Sequence, residues 1–206
     1  LRVEGEIVRD LYLAASGLLS PKIGGPSVFP PMPSDVAALS YAGNFSWKTS
    51  VGEDRYRRGM YTFFKRTAPH PELMTFDCPD ANLTNVRRTV SNTPLQALTT
   101  LNAEAFTEAA QALAASLLSD PTLRTDEAKL SAAIRRCVSR PPQRNELATM
   151  ESLLLESRRY YQSAPQAEIK AMNGNALPKG ASPTEHAALT ALTRIVLNLD
   201  EFITRE

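Results

Sequence analysis

The sequence predicts a mostly α-helical fold, an irregular helical bundle preceded by a proline-rich, loop-dominated N-terminal half. Three observations carry this. Apolar residues recur at helical spacing in long segments after Asn92, helix-start signals stand at Thr93 and Ser182, and five prolines with two adjacent glycines crowd residues 21–33.

The chain has 206 residues, 43% hydrophobic and 22% charged, which is ordinary globular usage and far from the composition of disordered chains. Up to Val90 there are 11 basic against 9 acidic residues, and the formal net charge is +1. Neither half is a polycation, which disfavours a nucleic-acid partner or an anionic membrane surface. No run of about 18 apolar residues could span a bilayer, and the N-terminus lacks the basic-then-apolar order of a secretion signal. Leu1 in place of an initiator Met reads as a cut inside a longer protein, so any signal would lie upstream.

Glu4–Leu19 is an amphipathic helix with Ile7, Leu11, Ala14, Ala15 and Leu18 on one face, stopped by Pro21. Residues 21–33 exclude regular structure. Yet Ile23, Val28, Phe29 and Met32 are apolar, so the loop should lie packed on the body. Gly24-Gly25 lacks the strand and the Gly-Lys-Ser/Thr ending of a phosphate loop. Asp35–Tyr41 suits a short helix, and Phe45 and Trp47 lie in a stretch ambiguous between strand and loop. In Asp54–Arg66, Tyr56, Met60, Phe63 and Phe64 suit a helix with an aromatic face, although Tyr61–Phe64 alone would suit a strand.

Thr93-Pro94-Leu95-Gln96 is a capping box with proline at the first helical position. Asn102 is the expected cap of the next helix, with Ala105, Phe106, Ala109, Ala110, Leu113 and Leu117 as its stripe. Further helices are expected over Asp126–Val138 and Arg144–Tyr161, the second with Leu147, Met150, Leu154 and Tyr161 inward. Gln166–Met172 reads as a short helix before Asn173-Gly174-Asn175, and Pro178-Lys179-Gly180 as a surface excursion. Ser182-Pro183-Thr184-Glu185 reads as a second capping box and begins a last helix with Leu189, Leu192, Ile195, Val196 and Leu199 inward. The parts are thus 1–92, loop-rich with a leading helix, and 93–206, helical, within one cooperative domain.

Chemistry-bearing residues are few. Cys78 and Cys137 fit no Cys-x-x-Cys pattern; they read as two small buried thiols, with pairing open in an oxidising compartment. His70 near Asp77, Cys78 and Asp80 matches no zinc spacing, and His186, in the first turn of its helix, is expected at the surface, so no metal site is predicted. The densest polar group is Arg55, Arg57, Arg58, Lys65, Arg66, Asp77, Asp80, Arg87, Arg88 and Asn92. An unpaired buried charge costs several kcal/mol, so internal arginines need carboxylate or carbonyl partners. From this group Arg55, Arg58, Asp77, Arg87, Arg88, Asn92 and Thr93 form the candidate polar network or anion site. The anion reading rests on the amide donors and dipole of the helix starting at Thr93. Asp77 is expected to pair with one of Arg55, Arg58, Arg87 or Arg88. No catalytic residue is assignable.

Several stretches carry a resemblance: residues 14–30 (Ala-Ala-Ser-Gly-Leu-Leu-Ser-Pro-Lys-Ile-Gly-Gly-Pro-Ser-Val-Phe-Pro), Tyr56-Arg57-Arg58, Tyr61–Thr67, Thr75-Phe76-Asp77, Val86-Arg87-Arg88, Asn92–Leu98 and Leu197–Phe202. Through them the chain resembles the C-terminal domain of unknown function of planctomycete-type multidomain proteins that carry a cytochrome c-like domain. Those relatives often place a cysteine at the position of Thr84 and lack one at Cys78. The resemblance implies an extracytoplasmic (periplasmic or secreted) location and haem only in a separate domain, with no cofactor in this fragment. It also implies partners among the other domains of the same protein. Two functions remain open at this point: a non-catalytic interaction or scaffold domain, or part of an enzyme, polysaccharide-active or redox, with its site in the Arg/Asp-rich middle. A deep pocket joining Arg58, Asp77 and Arg87 would favour the enzyme; filled, mutually paired space would favour the scaffold.

Overall fold

A computed structural model describes residues 1–38, 45–167 and 177–205. The architecture is mostly α, and the described residues contain isolated β-bridges but no sheet. The helices are α1 (Gly5–Ser16), α2 (Ser34–Ala37), α3 (Pro71–Thr75), α4 (Pro94–Asn102), α5 (Glu104–Ser119), α6 (Asp126–Val138), α7 (Arg144–Ser163), α8 (Pro183–Leu197) and α9 (Asp200–Ile203). Among the described residues, no helix is long and apolar enough to cross a membrane. The expected helix over Gln166–Met172 and the Asn173-Gly174-Asn175 turn fall largely or wholly outside the described residues.

The chain divides into two compact units, Leu1–Ala14 with Leu18–Phe106 and Ile203–Glu206, and Ala15–Gly17 with Thr107–Phe202. In the first, α1 buries Val8, Tyr12 and Leu13, not the expected Ile7, Leu11 and Ala14 face; Ile7 and Ala14 are exposed. Apolar residues stand side by side at 7–8 and 11–12, so helical periodicity fits two faces. The deciding partner is distant in sequence: the Tyr12 ring lies 4.5 Å from Phe106, which also meets Phe76. The same face carries Arg9, buried with a guanidinium nitrogen 2.8 Å from the Arg55 carbonyl.

The proline-rich loop is packed from Val28 onward, with Phe29 half-buried, whereas residues 21–27 are exposed. Val28 is buried, its amide donates to Tyr61 O at 2.8 Å, and its carbonyl accepts from the Phe63 amide at 2.8 Å. Phe29 stacks on Phe63 at 4.9 Å and meets the Trp47 edge at 5.1 Å, while Trp47 Nε1 donates to Pro30 O. Ile23 departs from expectation and is exposed.

The helix expected over Asp54–Arg66 does not form. Two 3-10 turns, Gly52–Tyr56 and Gly59–Tyr61, are followed by an isolated β-bridge at Thr62 and no regular structure at Phe63 and Phe64. The aromatic spacing that mimicked a helical face instead serves the Val28–Thr62 bridge and the Phe29–Phe63 stack. The short helix expected over Asp35–Tyr41 appears as α2, one residue earlier, and residues 39–41 lie outside the described residues.

Helix-start signals were legible. The capping box opens α4, with Gln96 Oε1 accepting the Thr93 amide at 3.4 Å. Asn102 does not cap α5: its side chain bonds back to Leu98 O at 2.7 Å, closing α4, and the extended Ala103 separates the two helices.

The second unit packs α8 against α7 and α6, and α5 against α8 through Thr193 Oγ1, which donates to Ala110 O at 2.9 Å. Leu113, Leu117, Leu130, Ile134, Leu154, Leu189 and Leu192 are all at most 1% exposed. His186, expected at the surface, is 1% exposed, with Nε2 3.2 Å from Gln111 O. Nearly every residue from His186 to Val196 is enclosed, because α8 meets helices on several sides. Ala191 and Arg194 are partly buried, and Ile195, expected inward, is exposed. Ser182 Oγ caps α8 by accepting the Glu185 amide at 3.1 Å. The Glu185 side chain does not complete a box. It joins Asp126 around Arg158, while Glu146 and Glu201 hold Arg140.

Candidate functional site

All seven candidate residues belong to the first unit. Arg55, in the first 3-10 turn, reaches Glu104 Oε1 at 2.7 Å. Arg58 Nε donates to Asp10 Oδ2 at 2.8 Å, and Asp10 Oδ1 accepts the Gly59 amide at 2.6 Å. One carboxylate of α1 therefore holds both the arginine and the turn that follows it. Hydrogen bonding from Asp10 raises the Arg58 pKa above its ordinary value.

The expected pairing of Asp77 with an arginine is not what the structure shows. Asp77 Oδ2 accepts the Ser91 amide at 2.7 Å and Ser91 Oγ at 2.8 Å, with Gln96 Nε2 at 3.4 Å. Asp77 follows α3 at φ 60°, a left-handed conformation that Asp tolerates better than most residues. The carboxylate therefore turns toward the chain entering α4, and Arg55, Arg58 and Arg88 meet carboxylates at α5 and α1. No sequence spacing foretold this, because those carboxylates stand 48 to 84 positions away.

Arg88 bridges Glu6 at 2.8 and 3.0 Å and Glu4 at 3.1 Å. Burial is the largest single influence and disfavours the Glu6 carboxylate, yet the Arg88 hydrogen bonds, a backbone hydrogen bond and the Arg88 charge together outweigh it and leave the pKa below its ordinary value. Those bonds likewise raise the pKa of Arg88. Cys78 Sγ lies 3.7 Å from Glu6 Oε1, and burial followed by the nearby carboxylate pushes its thiol up to about 11. Such a thiol stays protonated near neutrality and is a poor nucleophile or metal ligand. Asn92 Oδ1 accepts from Arg2, which also donates to Gln96 Oε1 at 2.8 Å, so the start of α4 is occupied by the protein's own side chains. Arg87 stands exposed and, among the described residues, has no carboxylate partner.

Two polar clusters thus form, Asp77–Ser91–Gln96–Arg2–Asn92 and Arg88–Glu6–Glu4–Cys78, instead of one convergent anion site. Among the described residues, no group of three or more His, Cys, Asp or Glu side chains is arranged to hold a metal ion. An apolar groove of about 540 Å³ lies elsewhere in this unit, between residues 31–33, α3 and α4, and none of the seven residues lines it.

Arg57, outside the seven candidate residues, is fully buried, at 0% exposure. Its guanidinium donates to the carbonyls of Pro26 (3.0 Å), Lys22 (3.4 Å) and Gly24, and lies 3.8 Å from the Tyr61 ring centroid. Tyr61 Oη in turn accepts the Gly24 amide at 2.8 Å. The signal that could have found it is an arginine directly after Tyr56 and four residues before Tyr61.

These features define a helical domain whose loop-rich unit is organised by internal arginine pairs. The chain belongs to the family described as PSD1, protein of unknown function (DUF1553), which matches residues 1–154. No curated protein and no solved structure matches the chain.

Proposed function

We propose that this chain is a non-catalytic interaction or scaffold domain of a planctomycete-type extracytoplasmic protein that carries a cytochrome c-like domain. The observation behind this reading is that the Arg- and Asp-rich segment is spent on itself: among the described residues, six of the seven candidates hold, or are held by, other protein groups, and the groove beside α3 and α4 is lined by none of Arg58, Asp77 and Arg87. The extracytoplasmic setting and the haem-bearing neighbour rest on the resemblance carried by residues 14–30 and Asn92–Leu98. Haem belongs in a separate domain, since neither cysteine here stands in a Cys-x-x-Cys-His motif. The other domains of the same protein are the partners. No observation specifically favours the enzyme reading, polysaccharide-active or redox.

Two measurements test this. Asp77→Asn keeps the shape and part of the acceptor capacity toward Ser91, so urea unfolding should show a loss of about 1–2 kcal/mol, as for a hydrogen bond to a charged group. Any activity of the full-length protein should survive; activity lost at unchanged stability would place a site at Asp77 and overturn the reading. A c-type haem spectrum is expected from the full-length protein, and a haem-free full-length protein would remove the cytochrome association.

A further inference from the structure

The groove between residues 31–33, α3 and α4 is walled by Met32, Leu95 and Leu98, with the latter two 60% and 56% exposed. Its charged lining is acidic only, Glu72 and Glu104, without a lysine or arginine. Glu104 spends Oε1 on Arg55 and keeps half its side-chain surface open, which leaves Oε2 able to accept a second cation. Elsewhere in the same unit, residues 81–90 are exposed throughout, including Leu83 at 81% and Val86 at 100%, beside the unpaired Arg87. Arg88 fastens this segment to α1 through Glu4 and Glu6, so its apolar side chains are displayed outward from a fixed base.

We propose that the groove receives the Leu83–Val90 segment of a second copy of this chain. Val86 enters between Leu95 and Leu98, and Arg87 reaches the open oxygen of Glu104. The match is twofold: an apolar groove with no lysine or arginine in its lining and a half-open Glu104 carboxylate at its edge, and an apolar segment carrying Arg87, which has no carboxylate partner among the described residues. Because groove and segment are different surfaces, the contact is head-to-tail and each copy keeps one of each available. A single inserted segment buries less than a standard interface, so the affinity is weak, about 10–100 μM. This deepens the interaction reading by naming a partner, but its test needs only this chain, and its failure would leave contacts with other domains untouched.

Sedimentation equilibrium of the chain from about 1 to 200 μM at low salt is the test, with Val86→Asp and Leu98→Asp as variants. Wild type should gain mass reversibly with concentration, and each variant should weaken association at least about tenfold, since a charge placed in an apolar contact is strongly disfavoured. Mixed together, the two variants should form a 1:1 dimer that does not extend, because Val86→Asp keeps an intact groove and Leu98→Asp an intact segment. Helix content by circular dichroism checks folding, with Leu95→Asp replacing Leu98→Asp if the latter misfolds. A wild-type chain that stays monomeric throughout overturns the proposal and gives the groove to another occupant. So does association that both variants leave unchanged, or a mixture that yields no dimer.

Discussion

Arg57 shows how a cation is kept in an interior without a counter-ion. Removing a guanidinium from water is costly, and here carbonyl oxygens and the Tyr61 face replace the lost hydration. The forked, planar donor set matters more than the charge. Arg57→Lys keeps the charge but cannot reach several carbonyls together, so we expect a loss of about 2–4 kcal/mol in urea unfolding. Amide exchange across residues 22–27 should accelerate in that variant; unchanged exchange there would show that the loop is held by Val28 alone. His70 is the complementary case. Its Nε2 lies 3.0 Å from Pro31 O, and burial, reinforced by the positive Arg9, lowers its pKa from 6.5 to about 4. The folded state therefore binds this proton less readily than the unfolded chain does. Stability contributed by neutral His70 is present above pH 6.5 and is lost as pH falls toward 4, by at most about 3 kcal/mol. The difference between wild type and His70→Gln in stability-versus-pH curves isolates this effect from the carboxylates. Parallel curves between pH 6.5 and 4 would refute it.

Among elements, the contrast is between helices that announce themselves and a turn region that does not. Thr93 and Ser182 mark α4 and α8 because a side chain capping the next turn is a local interaction, legible within four residues. The segment after Asp54 forms no helix because its partners are remote: Gly59 presses against α1, where an added Cβ would stand 2.6 Å from the Glu6 carbonyl oxygen. That contact is with backbone, which cannot rotate away. Gly59→Ala should cost about 1–3 kcal/mol through overpacking, measured by thermal or urea unfolding, and should also weaken the Gly59 amide bond to Asp10. A neutral result would mean that α1 and the turn separate easily.

At the level of the whole chain, each compact unit holds one buried cysteine, Cys78 in the first and Cys137 in the second, and both are free thiols. Burial, with nearby carboxylates in the case of Cys78, raises their pKa values to about 11 and about 12, so neither reacts readily in the native state. They serve as reporters of the single cooperative domain we propose. With a thiol-specific reagent under increasing urea, both should become reactive along one transition; separate midpoints would show that the two units unfold independently.

The amino-acid sequence by itself determined what depends on near neighbours and on periodicity. It supplied the helical class, the cap-marked starts of α4 and α8, the bounds of α6, the packing of the proline-rich loop at Val28 and Phe29 and the residue types able to carry charge. Tertiary structure decided which of two faces α1 buries, that His186 is interior, that the Asp54–Arg66 aromatics serve bridges instead of a helix, and that Asp77 binds Ser91 and Gln96 while arginines go to Asp10, Glu6 and Glu104. The physical reason is range. Caps and amphipathic stripes act within a few residues, whereas a charge takes whichever partner the packed chain brings within about 3 Å, and that choice is made only when distant segments meet.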